Sequence, residues 1–386
     1  MVAFASATNE PLSLPSYLDY YSDFTNYPGV DTFNYKQHRF VTDYESDSLL
    51  SARTSLYLSR YHPEAAVYLI CDLKSGHILS LGERRDNKNS SKPKMAFGNK
   101  FPAASLFKII TALTAVKKGT GPESKLLQIG SSHTLYKRQL TSANRASGSE
   151  VSLRHAFAHS YNPAFGLLGL ELGADAIRES GENAGFNKTG RPRLVLSDLS
   201  VPDSGYALAE VACGFNQHTT VSPIHALELA RALGHDGKLK NCSFSNDIRC
   251  IKPEAYPVHL SQPEENELVS KANLPAMQTL MEATTSMGTA RKGFHKIMKH
   301  HHLKYVITGG KTGSVDGTSP DGRYDWFVGY AKLKSDPDRG IAIVIMQVHQ
   351  TYQSLRSTYV AALLIKDWLR QQHKQGIVNT PRKSVS

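Results

Sequence analysis

The chain has 386 residues, 40% of them hydrophobic, enough for a substantial core in one large domain or two modest ones. No run approaches the roughly eighteen consecutive apolar residues of a membrane-spanning helix, so the sequence as written excludes one. The net charge of +11 favours anionic polymers or surfaces, but a solvated basic face is the commoner cause and no nucleic-acid-binding motif accompanies the charge.

Residues 1 to about 40 carry Tyr17, Tyr20, Tyr21, Tyr27 and Tyr35 without a sustained period, which predicts an irregular N-terminal arm. The small residues of Met1 to Ala7 resemble a signal-cleavage region but lack the charged and apolar regions that precede one, so a trimmed or leaderless chain is expected. Leu49, Leu50, Leu56 and Leu58 fit a helix over 44–61. Residues 65–72 and 77–81 read as a hairpin turning at Lys74-Ser75-Gly76. After a polar loop, Phe101-Pro102 leads into a helical pattern at Leu106, Ile109, Ile110, Leu113 and Val116, so Ser105 opens a helix.

Between about 120 and 290 the pattern is mostly helical, with helices predicted at 151–159, 163–172, 204–213 and 223–233. Strands return at 304–308, 324–332 and 340–349, before a helix over 357–372 and a polar tail. Strands at both ends of a helical middle predict an α+β fold: an antiparallel five-stranded sheet flanked by helices, with an all-helical subdomain inserted between its second and third strands. The expected divisions are an arm at 1–40, a main domain at 41–375 and a tail at 376–386. Within the main domain the sheet takes about 60–110 and 300–372, and the helical part about 111–299. Of the four cysteines, Cys242 and Cys250 flank a short polar segment that a disulfide could close in an oxidising compartment, but two unpaired thiols are the commoner outcome for such a pair. His300, His301 and His302 read as a surface tract rather than a metal site.

A serine hydroxyl needs a base within reach and donors for the oxyanion it creates. Ser105-Leu106-Phe107-Lys108 supplies the first need, since residues three apart share a helix face and a neutral Lys108 amine would touch the Ser105 hydroxyl. A plain helix N-cap is the bland reading of Ser105. Ser91-Lys92-Pro93-Lys94 has the same spacing, but its proline and polar setting make it a loop. Ser160-Tyr161-Asn162 lies in a turn between two predicted helices, whereas Ser142-Ala143-Asn144 has no flanking helices. Lys311-Thr312-Gly313 follows the strand at 304–308 in a hairpin setting, which Lys188-Thr189-Gly190 lacks.

A serine helix, a polar turn and a Lys-Thr-Gly strand, in that order, resemble the motif set of penicillin-binding proteins and serine β-lactamases. Residues 214–223 resemble the Val-Ser/Thr-Pro segment of that superfamily and Gly288-Thr289-Ala290 its Gly-Thr-Ala segment, so the likeness covers about residues 60–370. The resemblance implies that Ser105 attacks the carbonyl of a D-Ala-D-Ala stem peptide, or of a β-lactam that mimics it. By the same resemblance Lys108 takes the Ser105 proton, Ser160 passes a proton to the departing amine, and Asn162 orients Lys108 and the substrate amide. Lys311 holds positive potential beside Ser160. Thr312, Gly313 and Ser314 form the substrate-binding strand, with the Thr312 and Ser314 hydroxyls on the terminal carboxylate, and the backbone N–H groups of Ser105 and Ser314 make the oxyanion hole. Many relatives have Thr where this chain has Ser314, a change that keeps the hydroxyl.

The resemblance implies no metal or cofactor, an extracytoplasmic or periplasmic location, and peptidoglycan, β-lactams and cell-wall synthesis proteins as partners. The Glu-x-x-Leu-Asn loop of class A β-lactamases is not in this sequence, and Ser160-Tyr161-Asn162 stands where class D enzymes have Ser-x-Val. The long stretch from Asn162 to Lys311 and the 65–81 hairpin resemble transpeptidase domains of larger penicillin-binding proteins. A D,D-transpeptidase is therefore expected, with a D,D-carboxypeptidase or β-lactamase as the hydrolytic alternative. A non-turnover β-lactam sensor or cell-wall binding module is the alternative of another class, against which Lys108 and Lys311 are both retained.

Overall fold

The computed structural model describes residues 12–14, 30–35, 38–43, 46–85, 95–98, 100–141, 147–188, 197–243, 248–252, 258–260, 265–350 and 355–378. Five strands, β1 (Ala65–Asp72), β2 (Ile78–Arg85), β3 (Val306–Thr318), β4 (Asp321–Leu333) and β5 (Gly340–His349), form one antiparallel sheet in the order β3-β4-β5-β1-β2. The longer helices follow the chain as α1 (Ser48–Tyr61), α2 (Lys108–Lys117), α3 (Leu153–Ala158), α4 (Asn162–Leu172), α5 (Ala174–Asn183), α6 (Gly205–Cys213), α7 (Pro223–Gly234), α8 (Leu274–Ser286), α9 (Arg291–Leu303) and α10 (Ser357–Lys374). The predicted α+β architecture is present, with the helical insert between β2 and β3.

The central strands β4, β5 and β1 are buried on both faces, and their side chains alternate between two cores. On β1, Val67, Leu69 and Cys71 enter the core shared with the inserted helices, while Ala66, Tyr68 and Ile70 join the core under α1, α9 and α10. On β5, Ala342, Val344 and Met346 face the first core and Ile341, Ile343 and Ile345 the second. Such doubly buried strands read as continuous apolar runs.

β3 is longer than the sequence pattern indicates. It runs 13 residues and contains the whole Lys311-Thr312-Gly313 motif, rather than ending before it. As an edge strand it carries polar residues and glycines that hide the strand periodicity. Two of those glycines are steric necessities: a Cβ at Gly309 would stand 2.6 Å from Tyr330 Cζ, and one at Gly310 would stand 2.5 Å from Phe327 Cζ.

Two other expectations change, and a third point is decided. Part of the stretch read as an irregular arm forms strands: Val30–Tyr35 pairs with His38–Asp43, which in turn pairs with Ile248–Lys252, and Leu12–Leu14 runs parallel to Val258–Leu260. The first of these pairings is a local hairpin, but the other two join strands more than two hundred residues apart, which no local period reveals. Of the two readings of Cys242 and Cys250, the structure has the thiols, with no disulfide between them. Ser243 exchanges backbone hydrogen bonds with the β1–β2 hairpin, Ile78 N to Ser243 O at 2.7 Å and Ser243 N to Gly76 O at 3.1 Å, and this carries Cys242 to the sheet, where its Sγ lies 3.7 Å from Sγ of Cys71. The helix expected over 151–159 begins two residues later, because 149–152 form a short strand paired with 125–128. His300 and His301 are exposed at the end of α9, and no group of three or more metal-ligating side chains occurs among the described residues.

Candidate active site

Ser105 sits in a single 3-10 turn, Ala104–Phe107, that runs directly into α2. At three residues per turn, positions i and i+3 eclipse, so the turn stacks Lys108 over Ser105 more closely than an α-helix would. Lys108 Nζ is 2.9 Å from Ser105 Oγ. The residue before the serine, Ala104, is held at φ +48, a left-handed conformation costing on the order of 1–3 kcal/mol. Its neighbours fix it: Ala103 N donates to Thr219 O at 2.8 Å, and Gly214 packs on the Ala104 carbonyl so closely that a Cβ would lie 1.9 Å from the oxygen.

Lys108 is completely buried, yet its Nζ has three polar neighbours: Ser105 Oγ, Asn162 Oδ1 at 2.7 Å and the Cys213 carbonyl at 2.6 Å. Asn162 Nδ2 donates to His133 O at 2.8 Å, which fixes the amide so that Oδ1 faces the lysine. A carbonyl and an amide oxygen only accept. They take two N–H groups, and the remaining direction on a neutral amine is a lone pair aimed at the Ser105 hydroxyl. Burial pushes the Lys108 amine down to about 8, against a smaller opposing pull from Cys213.

Ser160 and Asn162 come from the turn between α3 and α4. Asn162 is the first residue of α4, followed by Pro163, whose fixed φ suits the first turn of a helix. Ser160 has φ +60, which turns its hydroxyl toward β3. There Lys311 Nζ donates to Ser160 Oγ and to Thr312 O, both at 3.0 Å. Lys311 is also completely buried, and its amine is pushed well below the ordinary lysine value by burial and then by the charge of Lys108.

Beyond Lys311, Thr312 Oγ1 meets Thr289 Oγ1 at 2.5 Å. Thr289 is held by its N–H to Ala158 O at 3.0 Å, and a Cβ on Gly288 would lie 2.1 Å from the same oxygen, so Gly288-Thr289 ties the end of α3 to β3. Gly313 lies against the Ser105 turn, its Cβ position 3.2 Å from Ala103 O. Ser314 is exposed, and its Oγ accepts from Arg323 Nε at 2.9 Å while Arg323 Nη1 donates to Asp316 at 3.0 Å. Ser105, Ser160, Asn162, Thr312 and Ser314 all open on one cavity of about 590 Å³.

The structure thus brings together every site residue expected from the sequence. Ser91-Lys92-Pro93-Lys94 and Ser142-Ala143-Asn144 lie outside the described residues, as do Thr189 and Gly190 of the other Lys-Thr-Gly copy. Sequence reasoning missed the Cys213 carbonyl, His133 and Arg323. Arg323 had one signal, a cation positioned to face Asp316 across the β3–β4 hairpin.

The family model of the penicillin binding protein transpeptidase domain matches residues 66–366. The chain belongs to this family. It is 23% identical over 274 residues to the peptidoglycan D,D-transpeptidase PbpA of Mycolicibacterium smegmatis, a match that covers 68% of this chain and 53% of that protein. A shorter match to PbpA of Mycobacterium tuberculosis is 29% identical over 160 residues, covering 39% of this chain and 32% of that protein. The chain therefore spans about half or less of the length of the curated relatives it matches. The crystal structure of PBPA from M. tuberculosis superposes with a TM-score of 0.65 at 20% identity, covering 85% of this chain and 80% of that one. A D,D-transpeptidase domain of a peptidoglycan glycosyltransferase from Eggerthella lenta gives a TM-score of 0.63 at 19% identity, covering 87% and 84%. At these identities the superpositions establish the penicillin-binding transpeptidase fold.

Proposed function

We propose that this transpeptidase-family chain is a serine D,D-transpeptidase that acts on D-Ala-D-Ala peptidoglycan stem peptides and is acylated by penicillins, with residues 41–375 as its catalytic unit. The observation that carries the reading is the Lys108 amine, buried, lowered to about 8 and directed at Ser105 Oγ by two obligate acceptors. Lys108 takes the hydroxyl proton as Ser105 Oγ bonds to the D-Ala carbonyl carbon. The backbone N–H groups of Ser105 and Ser314 receive the oxyanion. Ser160, hydrogen-bonded to Lys311, delivers a proton to the departing D-Ala amine as the C–N bond breaks, and Thr312 and Ser314 hold its carboxylate. The acyl-enzyme is then released to a second amine. The proton that Lys108 took then replaces the one Ser160 gave, so both side chains end acylation as they began it.

The name of the PbpA relatives favours amine over water as the acceptor. A peptidoglycan substrate supports a location outside the cytoplasm. No helix among the described residues is long and apolar enough to cross a membrane. Fluorescent penicillin labelling of the purified chain tests the reading: a stable adduct is expected, and Ser105→Ala is expected to abolish it. Equal labelling of both proteins would overturn the assignment of the nucleophile. Rapid loss of label with antibiotic hydrolysis would overturn the transpeptidase reading in favour of a β-lactamase.

A further inference from the structure

A second cavity, of about 330 Å³, opens beside the catalytic one and shares Thr289, Arg356 and Thr358 with it. Its remaining wall includes Lys292 and Lys296, one turn apart on α9, and Tyr359 in the first turn of α10. Three cations thus surround one hollow, and no carboxylate lines it among the described residues. Lys296 Nζ stands 5.7 Å from the centre of the Tyr359 ring. The floor is tightly built: a Cβ on Gly293 would lie 2.9 Å from Thr358 Oγ1, so α9 and the start of α10 meet at the closest approach glycine permits. The positive end of the 18-residue α10 adds to the potential.

The position of this hollow relative to the chemistry decides what it can hold. Resting on the transpeptidase reading above, the D-Ala carboxylate sits at Thr312, whose hydroxyl is 2.5 Å from that of Thr289. The leaving amine departs on that side. Aminolysis of the acyl-enzyme is the reverse of that departure, so by microscopic reversibility the acceptor amine approaches along the same path. The rest of the acceptor then continues past Thr289 into the second cavity. We propose that this cavity is the acceptor subsite and that Lys292, Lys296 and Arg356 bind a carboxylate of the amine-bearing stem peptide. In the step it serves, the ester bond between the acyl carbon and Ser105 Oγ breaks as the amide bond to the acceptor nitrogen forms, and the amine proton returns to Ser105 Oγ.

The test uses the full chain with a stem-peptide ester as donor and two acceptors, a peptide amine with a free carboxylate and its amidated counterpart. Lys292→Ala with Lys296→Ala is expected to label with fluorescent penicillin at the parent rate, since neither residue touches Ser105. The same double variant is expected to raise the half-saturating concentration of the carboxylate acceptor about tenfold, leaving the amidated one unchanged. Lys292→Gln with Lys296→Gln, which preserves bulk, is expected to behave alike. A parent that uses the two acceptors equally, or variants that lose no preference, would overturn the subsite while penicillin labelling still upholds the reading beneath it. A change in donor rather than acceptor saturation would assign the cations to the donor strand and overturn the acceptor proposal. Failure of the parent to label at all would sink the transpeptidase reading itself.

Discussion

A lysine ammonium offers three protons, whereas a neutral amine offers two and a lone pair. Around Lys108 the Asn162 amide oxygen and the Cys213 carbonyl absorb two, and only the neutral form makes the third contact useful. A guanidinium has no accessible lone pair at any working pH, so Lys108→Arg is expected to slow penicillin acylation by about 10²- to 10⁴-fold with the thermal transition retained. The pH dependence follows from the direction of the shift. Burial lowers the amine to about 8, and in the proposed mechanism the deprotonated form is the base, so the acylation rate should rise with pH and level off above about 8. Stopped-flow acylation between pH 6 and 10 measures this; a rate that falls through that window would contradict a lysine base. The Ser105–Lys108 pair was legible because three-residue spacing is written in the sequence. The Cys213 carbonyl was not, since a backbone acceptor 105 residues away leaves no trace in any side-chain pattern.

At the level of elements, the Ser105 turn depends on two glycine-permitted approaches from other parts of the chain. Gly214 has φ +68 and no room for a methyl group against the Ala104 carbonyl. Gly214→Ala is therefore expected to cost more than about 2 kcal/mol, or to displace the turn and slow acylation. Chemical denaturation together with labelling kinetics reads both effects, and a variant indistinguishable from the parent in both would show that the turn is free to move. The helices around the site were legible from apolar spacing and from Pro163 and Pro223 at their starts. β3 was legible only in part. Its glycines accommodate Tyr330 and Phe327 and its polar residues face a cleft, so the strand that presents Lys311, Thr312 and Ser314 lacks the alternation that reveals buried strands.

Over the whole molecule, the order of strands and helices gave the architecture, because a doubly buried sheet writes long apolar runs at both ends of the chain and an amphipathic pattern between them. What stayed hidden were pairings that span hundreds of residues. Cys242 meets Cys71 rather than the nearby Cys250 because a backbone bridge to the first hairpin, not sequence proximity, sets its place.

The same topology has a consequence for biosynthesis. β1 pairs with β2 as soon as both emerge, but its other edge awaits β5, which begins at Gly340, some 255 residues after β2 ends at Arg85. At roughly 5–20 residues per second the ribosome needs about 13–50 seconds to supply that partner. During that time the edge of Ala65-Ala66-Val67-Tyr68-Leu69-Ile70-Cys71, seven residues without a charge, has no strand to close it. Nascent chains of this length are therefore expected to bind holdase chaperones. A truncation ending before residue 340 is expected to pellet on ultracentrifugation where the full chain stays in solution.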